Sequence, residues 1–234
     1  MALETPNEIR HLFSEIAPAY DKANSVLSLG IHHLWRHRLV KLSGVRVGQS
    51  VLDCATGTGD LALEFKKAVG PSGTVVGSDF CKEMLATAPR KAQRAGVDIR
   101  FEVADVTALP YASHTFDFAS ISFGIRNVPD RRAGISELHR VVKPGGKVLI
   151  LEFGQPSSRI VSSVFTFYSE KVLPKVGGML SGKPKAYKYL QETSAKFPCR
   201  ENFLDLMRRS AKFESVEYHT LSMGVAYIYM GTVA

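Results

Sequence analysis

The stretch Val51-Leu52-Asp53-Cys54-Ala55-Thr56-Gly57-Thr58-Gly59-Asp60 constrains the fold more than any other. A short apolar run ends in an acid, and two glycines with one residue between them follow. Leu61, Ala62, Leu63 and Phe65 then lead to Lys66 and Lys67 with helical spacing. The pattern predicts a buried strand, a tight turn and a helix. Gly57 and Gly59 have no Cβ, so the backbone there can take positive φ and come close to a ligand. The helix behind them presents free N–H groups and the positive end of its dipole. A carboxylate-bearing or anionic small molecule suits that place. The spacing Gly57-Thr58-Gly59-Asp60-Leu61-Ala62 also fits G-x-G-x-x-A, the dinucleotide fingerprint. A nucleotide-like cofactor is therefore expected, and the loop alone leaves its identity open.

The surrounding chain predicts the sheet that such a loop needs. Strands are expected at 50–54, 74–79, 98–103, 116–121 and 147–153, with helices at 58–69, 81–95 and 130–142. Alternating strands and helices with apolar strands imply a parallel sheet covered on both faces. Helices at 6–17 and 31–43 precede it, so the first strand begins only near residue 50. Dinucleotide oxidoreductases usually start at that strand, which counts against an NAD enzyme. Residues 154–197 read as helices and loops laid over the sheet. A helix at 200–210 then leads to two strands, 213–221 and 224–231, that would add an antiparallel edge. The expected architecture is one domain over 1–234, with 1–49 as a helical cover and 154–212 as a helical lid.

Composition excludes several classes. Cys54, Cys81 and Cys199 are scattered, which argues for a reducing compartment and against disulfides or a thiolate zinc site. The polar start and the lack of a long apolar run predict a cytoplasmic protein with no signal peptide or spanning helix. The net charge is +8. Residues 155–212 hold 11 Lys and Arg against 4 Asp and Glu, while the rest nearly balances. A basic region of this kind suits anionic lipid, nucleic acid or an acidic substrate, or simply keeps a surface solvated.

Five features fall at successive strand ends, the rim where doubly wound sheets bind ligands. They are Asp53 with its loop, Asp79, Asp105, Ser122 with Phe123-Gly124-Ile125-Arg126-Asn127, and Glu152. Asp79 follows Gly59 by twenty residues, where an acid can accept from both ribose hydroxyls. Asp105 could accept from an exocyclic amine such as adenine's. A single acid there could equally cap a helix, as Asp130 is expected to do.

Together these motifs resemble a class I S-adenosylmethionine (SAM)-dependent methyltransferase, with a doubly wound, seven-stranded Rossmann-like sheet and an antiparallel C-terminal hairpin. Four stretches narrow the resemblance to the UbiE/MenG/Coq5 family of quinone C-methyltransferases: Y-D-x-x-N-x-x-L-S-x-G (20–30), V-L-D-C-A-T-G-T-G-D-L-A (51–62), I-S-F-G-I-R-N-V-P-D (121–130) and H-R-V-V-K-P-G-G-K-V-L-I-L-E-F (139–153). The resemblance implies residue roles. Gly57, Thr58 and Gly59 would line the methionine part of SAM, and Asp79 would hold the ribose. Asp105 and Val106 would bracket the adenine, Ser122 would approach the amino end, and Asp53 would act through water or by fixing the loop. Tyr20 and Asn24 would help cover the cofactor. Two departures, Ala211-Lys212-Phe213 and an end without basic residues, lie at the terminal hairpin and bear on the acceptor rather than the cofactor.

The implied acceptor is a prenylated quinol, demethylmenaquinol above all, with the 2-polyprenyl-6-methoxy-1,4-benzoquinol of ubiquinone synthesis as a further substrate. Methylating its ring needs a quinolate, whose ortho carbon attacks the methyl in line. Proximity, desolvation and a cation would promote this. Arg126 is the catalytic candidate; the alternative pairs it with an acid such as Asp130. Its high pKa makes it a poor base. His32, His33 and His37 resemble a metal cluster, but no nearby acid or cysteine in the sequence completes one, and no metal is expected. His139 and Trp35 are read as structural and packing residues. The prenyl tail implies peripheral contact with a membrane. Phe165, Phe167, Tyr168, Leu173, Val176, Met179 and Leu180 in the basic region would serve that contact or an apolar groove, or form a plain lid. No nucleic-acid partner is expected, and a homodimer is compatible. The rivals are an NAD-type oxidoreductase, disfavoured by the absence of a Y-x-x-x-K pair, and a non-catalytic SAM-fold protein that binds membrane or RNA.

Overall fold

A computed structural model describes residues 5–156, 158–168, 171, 175–176, 179 and 182–234. Leu173 and Leu180 of the expected groove lie outside the described residues.

The N-terminal cover has three helices, α1 (Pro6–Ile16), α2 (Tyr20–Leu27) and α3 (Ile31–Ser43). Thr5 caps α1 in a reciprocal box with Glu8, and Pro6 occupies the first turn, where its missing N–H costs nothing. Helix α2 escapes the periodicity reading because half of its run, Tyr-Asp-Lys-Ala-Asn-Ser-Val-Leu, is polar and only Ala23 is fully buried. Gly30, at φ 74, turns the chain from α2 into α3.

The central sheet follows as β1 (Ser50–Cys54), α4 (Asp60–Val69), β2 (Thr74–Asp79), α5 (Lys82–Leu85), α6 (Ala88–Arg94), β3 (Arg100–Val103), β4 (Phe116–Ser122), α7 (Arg131–Val141) and β5 (Val142–Phe153). Helices α8 (Arg159–Phe167), α9 (Pro184–Lys196) and α10 (Glu201–Ser210) precede the hairpin β6 (Phe213–Leu221) and β7 (Ala226–Val233). The seven strands run in the order β3-β2-β1-β4-β5-β7-β6. Strand β7 lies antiparallel to both β5 and β6, and the other pairings are parallel. The expected architecture is therefore present. The chain winds outward in one direction from β1 through β2 and β3, then returns to the far side of β1 at β4. That reversal opens a crevice at the carboxyl ends of β1 and β4, the place where such sheets take ligands.

Both faces of the sheet are buried, as the apolar strands require. Side chains alternate across a strand, so Val51 and Leu52 enter different cores. One core joins Leu52, Val76 and Ile121 to Ile135, Leu138, Phe203 and Met207 of α7 and α10. The other joins Val51, Val75 and Leu149 to Trp35, Leu39, Leu61 and Phe65 of α3 and α4. Each fully buried side chain of this size contributes about 1.5–3 kcal/mol. A third cluster sits apart, between α1 and α9: Ile9, Phe13, Ile16 and Met84 meet Ala186, Tyr189 and Leu190.

Two elements differ from expectation. The helix expected over 81–95 is broken into α5 and α6. Pro89 sits in the first turn of α6, where it cannot donate an N–H to the residue four earlier, so a continuous helix is not available. Strand β5 starts five residues early. Phe116 pairs with Val142 and Phe118 with Lys147, so Lys143-Pro144-Gly145-Gly146 bulges between two registers instead of ending the strand. A Cβ on Gly146 would meet the carbonyl oxygen of Asp117 at 2.4 Å, which explains the glycine.

Candidate functional site

The turn after β1 is built around Asp53. Its carboxylate, buried in the sheet, accepts from Thr56 Oγ1 at 2.6 Å and from Ser120 Oγ on β4 at 2.7 Å. Asp53 thus pins the glycine turn from below and ties it to the neighbouring strand. Burial raises its pKa to about 6, against the two hydroxyl hydrogen bonds that lower it. Gly57 and Gly59 take φ 57 and 88. A Cβ on Gly59 would sit 3.1 Å from Ala88 Cβ and 3.2 Å from the Phe101 ring, so the turn is packed tightly as well as bent.

Asp79, at the end of β2, joins this turn. Gly57 N donates to Asp79 Oδ2 at 2.9 Å and Cys81 N to Oδ1 at 2.9 Å. Each oxygen keeps a lone pair beyond these backbone bonds. Burial again raises the pKa, to about 6. Asp105 holds its own turn, accepting from Thr107 N and Thr107 Oγ1 through Oδ1 at 2.8 Å each.

These residues surround a cavity of about 220 Å³ at the β1/β4 crevice. Its wall includes Gly57, Asp79, Asp105, Val106 and Ser122 from the expected set. Pro6, Ile9, Phe13 and Tyr20 of the cover close one side. Burial raises the Tyr20 pKa, so its phenol stays protonated across the neutral range. Asp53, Thr58, Gly59 and Arg126 lie behind the wall. The hydroxyl of Thr58 is engaged by Asp21 at 2.6 Å and Lys91 at 3.0 Å.

Arg126, expected as a fixed cation at the rim with an acid partner as the alternative, is held in an ion pair. It is buried, and its guanidinium donates to Glu152 Oε1 at 2.5 Å and to the carbonyl of Phe123 at 2.7 Å. Asp130, the alternative partner, instead caps α7 by accepting from Ala133 N at 2.9 Å. Burial raises the Glu152 pKa, opposed by the Arg126 charge beside it. Glu152 was legible as a rim acid, but its pairing with Arg126 requires β4 and β5 to be neighbours.

Three features of the rim have weak or no sequence signal. Asn127 lines the cavity, and its Oδ1, like Ser122 Oγ, is buried without a protein partner among the described residues. Ala55 and Phe123 hold left-handed backbone, at φ 48 and 56, just past β1 and β4. Such strain in residues with side chains gathers at binding sites. The two turns also touch: a Cβ on Gly124 would lie 2.5 Å from Ala55 Cβ.

The histidines need a correction. An acid does come near them: Asp60 gathers with His32 and His33, their ligand atoms within 4.8 Å of one another. Asp60 is already shared by Lys91 at 2.7 Å and Arg36 at 3.8 Å, and burial lowers the His32 pKa to about 4. A divalent cation there would sit beside two fixed positive charges, which opposes metal binding. Trp35 packs between Phe123 and Phe153 and donates to Ser222 Oγ at 2.9 Å, as a packing residue would. His139 meets the carbonyl of Lys212 at 2.9 Å and packs edge-on to Phe213.

The donor set fits an adenosyl amino acid. Ser122 and Asn127, each with a buried side-chain oxygen that has no partner among the described residues, line the cavity together with Asp79, whose carboxylate keeps lone pairs to spare. Solved structures share the frame. A SAM-dependent methyltransferase from Aquifex aeolicus superposes with TM-score 0.65 over 92% of this chain and 98% of its own, at 18% identity. A phosphoethanolamine N-methyltransferase from Haemonchus contortus, solved with S-adenosyl-L-methionine, gives 0.59 over 85% of this chain and 52% of its own, at 16%. The fold is the Rossmann-like fold of class I methyltransferases.

Sequence carries the assignment further. Residues 2–233 match the model of the ubiE/COQ5 methyltransferase family. The chain is 58% identical over 228 residues to the ubiquinone/menaquinone biosynthesis C-methyltransferase of Bdellovibrio bacteriovorus, covering 97% of each. It is 45% identical over 220 residues to the demethylmenaquinone methyltransferase of Thermus thermophilus, covering 94% of this chain and 99% of that one. The chain belongs to the ubiE/COQ5 family and is a SAM-dependent methyltransferase.

Proposed function

We propose that the chain methylates a ring carbon of a prenylated quinol, with demethylmenaquinol as the acceptor. The relative from Bdellovibrio is named for ubiquinone and menaquinone and that from Thermus for demethylmenaquinone alone, so the naphthoquinol is common to both. SAM, when bound, supplies an electrophilic methyl group.

The observation that carries the site reading is the join of Gly57 N to Asp79 at 2.9 Å, which sets the glycine turn and the β2 acid against one cavity. In this reading Gly57, Thr58 and Gly59 bend the chain around the methionine end, with Asp53 holding the turn from below. Asp79 uses its remaining lone pairs on the ribose hydroxyls. Asp105 and Val106 bracket the adenine, and Ser122 Oγ meets the amino end. Asn127 Oδ1 accepts a hydrogen bond from a hydroxyl of the quinol. Phe13, Phe80 and Met84 keep water out, which strengthens every polar contact inside. Arg126 carries a charge that Glu152 largely neutralises. Its role here is to fix the turn 125–127, and with it Asn127, while adding a short-range field that favours a quinolate.

Residues 1–49 act as the cover and 154–212 as the acceptor-side lid of a single catalytic unit. Among the described residues no helix is long and apolar enough to cross a membrane. Contact with a membrane surface is part of this reading. Phe167 and Met179 are 64% and 86% exposed within the basic region, and would meet anionic lipid there.

Complementation of cells lacking quinone methylation, read by mass spectrometry of the quinone pool, tests the function. Methylated menaquinone is expected; an unmethylated pool despite expressed protein would refute the reading.

A further inference from the structure

Asp21 follows Tyr20 at the start of α2, in the first of the four stretches that mark the family. Its neighbour Tyr20 lines the cavity. Asp21 itself turns to the glycine loop. Its Oδ1 accepts from Thr58 Oγ1 at 2.6 Å, and its Oδ2 meets Lys91 Nζ at 2.6 Å. Lys91, on α6, also donates to Thr58 Oγ1 at 3.0 Å and to Asp60 Oδ1 at 2.7 Å. The Thr58 hydroxyl therefore gives its proton to Asp21 and receives one from Lys91. Three elements meet at one oxygen: the cover, the loop and the helix beneath it.

This contact stands out from the rest of the cover's attachment. Helix α1 is held largely by apolar packing against Met84 and α9, and by the Glu15–Lys183 pair at 2.5 Å. Among the described residues, the Asp21–Thr58 bond is the hydrogen bond that ties the cover to the glycine loop. Thr58 sits between two glycines in left-handed backbone, so its side chain is the loop's main handle. Through Gly57 N the same loop orients Asp79. Pro6, Ile9, Phe13 and Tyr20 form part of the cavity wall, so a movement of α1 and α2 would widen the cavity. The pair is neither buried nor fully exposed, with side chains 41% accessible at Asp21 and 25% at Lys91. A half-exposed ion pair is a modest, salt-screened interaction, which suits a contact that can open and close.

We propose that Asp21 is a positioning residue that latches the N-terminal cover onto the cofactor loop, so that its release sets the rate at which the adenosyl ligand exchanges. The proposal rests on the reading that the cavity holds SAM. Asp21 touches neither reacting atom. It acts through Thr58 on the loop and through Tyr20 on the wall.

Stopped-flow release of S-adenosylhomocysteine, chased with excess unlabelled ligand, tests it in the full-length wild type and in Asp21→Asn, Asp21→Glu, Lys91→Met and the Asp21→Asn/Lys91→Met pair. Neutralising the acceptor weakens its bond from Thr58 and removes its ion pair with Lys91, which predicts release about 10-fold faster in Asp21→Asn. The KM for SAM should rise in parallel, while single-turnover methyl transfer at saturating SAM keeps its rate. Asp21→Glu, which keeps the carboxylate, should recover part of the slow release. Lys91→Met should speed release too, and the effect of the double variant should be smaller than the product of the two single effects, because the residues are bonded to each other and to Thr58. Higher ionic strength should speed release from the wild type and leave Asp21→Asn unchanged. Wild-type release rates in both Asp21→Asn and Lys91→Met would overturn the latch. A wild type that binds no S-adenosylhomocysteine would instead overturn the cofactor reading, and the latch with it.

Discussion

Replacing Arg126 by Met should cost far more stability than a surface charge does. The Arg126 and Glu152 side chains are 4% and 0% accessible and meet at 2.5 Å. Removing one partner of such a pair leaves the other charge buried, at a cost of about 3–5 kcal/mol. Glu152 would keep its bonds from Phe153 N at 2.9 Å and Arg126 N at 3.4 Å, both backbone donors that the substitution spares. These place the loss toward the lower end, near ~3 kcal/mol. For a chain of this size ~1 kcal/mol shifts the melting temperature by about 2–4 °C, so Arg126→Met should melt about 6–12 °C lower. Replacing both partners, Arg126→Met with Glu152→Leu, removes the stranded charge and should recover most of that loss. The pH dependence has a definite sign. Without Arg126 the Glu152 pKa rises further, and a raised carboxyl favours the folded state at low pH and loses that advantage as pH climbs through it. Arg126→Met should therefore lose less relative to the wild type in acid than at neutral pH. Thermal denaturation followed by circular dichroism reads all of this. A single variant that melts within about 2 °C of the wild type would refute the account of the pair as a buried, coupled unit. The folded double variant also isolates catalysis: lost quinol methylation with a recovered melting temperature supports the Arg126 contribution, and retained turnover removes it.

Other consequences follow from the same geometry. Asp79→Ala should weaken S-adenosylhomocysteine binding by about 10- to 100-fold in calorimetry, since hydrogen bonds to a charged group are at stake; unchanged affinity would remove Asp79 from the site. Because the Asp79 pKa is raised to about 6, affinity should stay level above that pH and fall as pH drops through it, and Asp79→Asn should abolish this dependence. Gly59→Ala forces a Cβ onto a residue at φ 88 and within 3.1 Å of Ala88 Cβ, so it should destabilise the protein by about 1–3 kcal/mol in urea unfolding. A neutral outcome there would mean the turn can relax.

What could be read from the sequence was whatever is encoded locally. The strand-loop-helix around Gly57 and Gly59, the alternation that buries both sheet faces and the antiparallel finish each depend on neighbouring residues, and each is present. What escaped depends on long-range proximity. Arg126 and Glu152 were both recognised at strand ends, but nothing local says that β5 lies beside β4. Asp60 is read from the sequence only as the end of the glycine stretch, and the fold carries it to His32 and His33. Helix α2 lacked an apolar stripe because it buries so little of itself, and with it went the contact between Asp21 and Thr58.

These misses share a physical cause, and it bears on how the site works. Most charged or polar groups at the rim are committed to the protein. Asp53 accepts from two hydroxyls, Asp79 from two backbone N–H groups, Arg126 faces Glu152, and Thr58 is held by Asp21 and Lys91. Among the residues lining the cavity, Ser122 Oγ and Asn127 Oδ1 are buried without partners among the described residues, and behind the wall Arg126 keeps an unpartnered Nε beside its bond to Glu152. A group already bonded to its neighbours holds its position without reorganising when a ligand arrives, whereas a lone buried acceptor gains most from that ligand. The committed groups therefore set the shape of the cavity, and the two uncommitted ones gain most from recognising what enters it. Neither motif spacing nor charge distinguishes the two kinds, because the distinction lies in which partners the sheet order brings within reach.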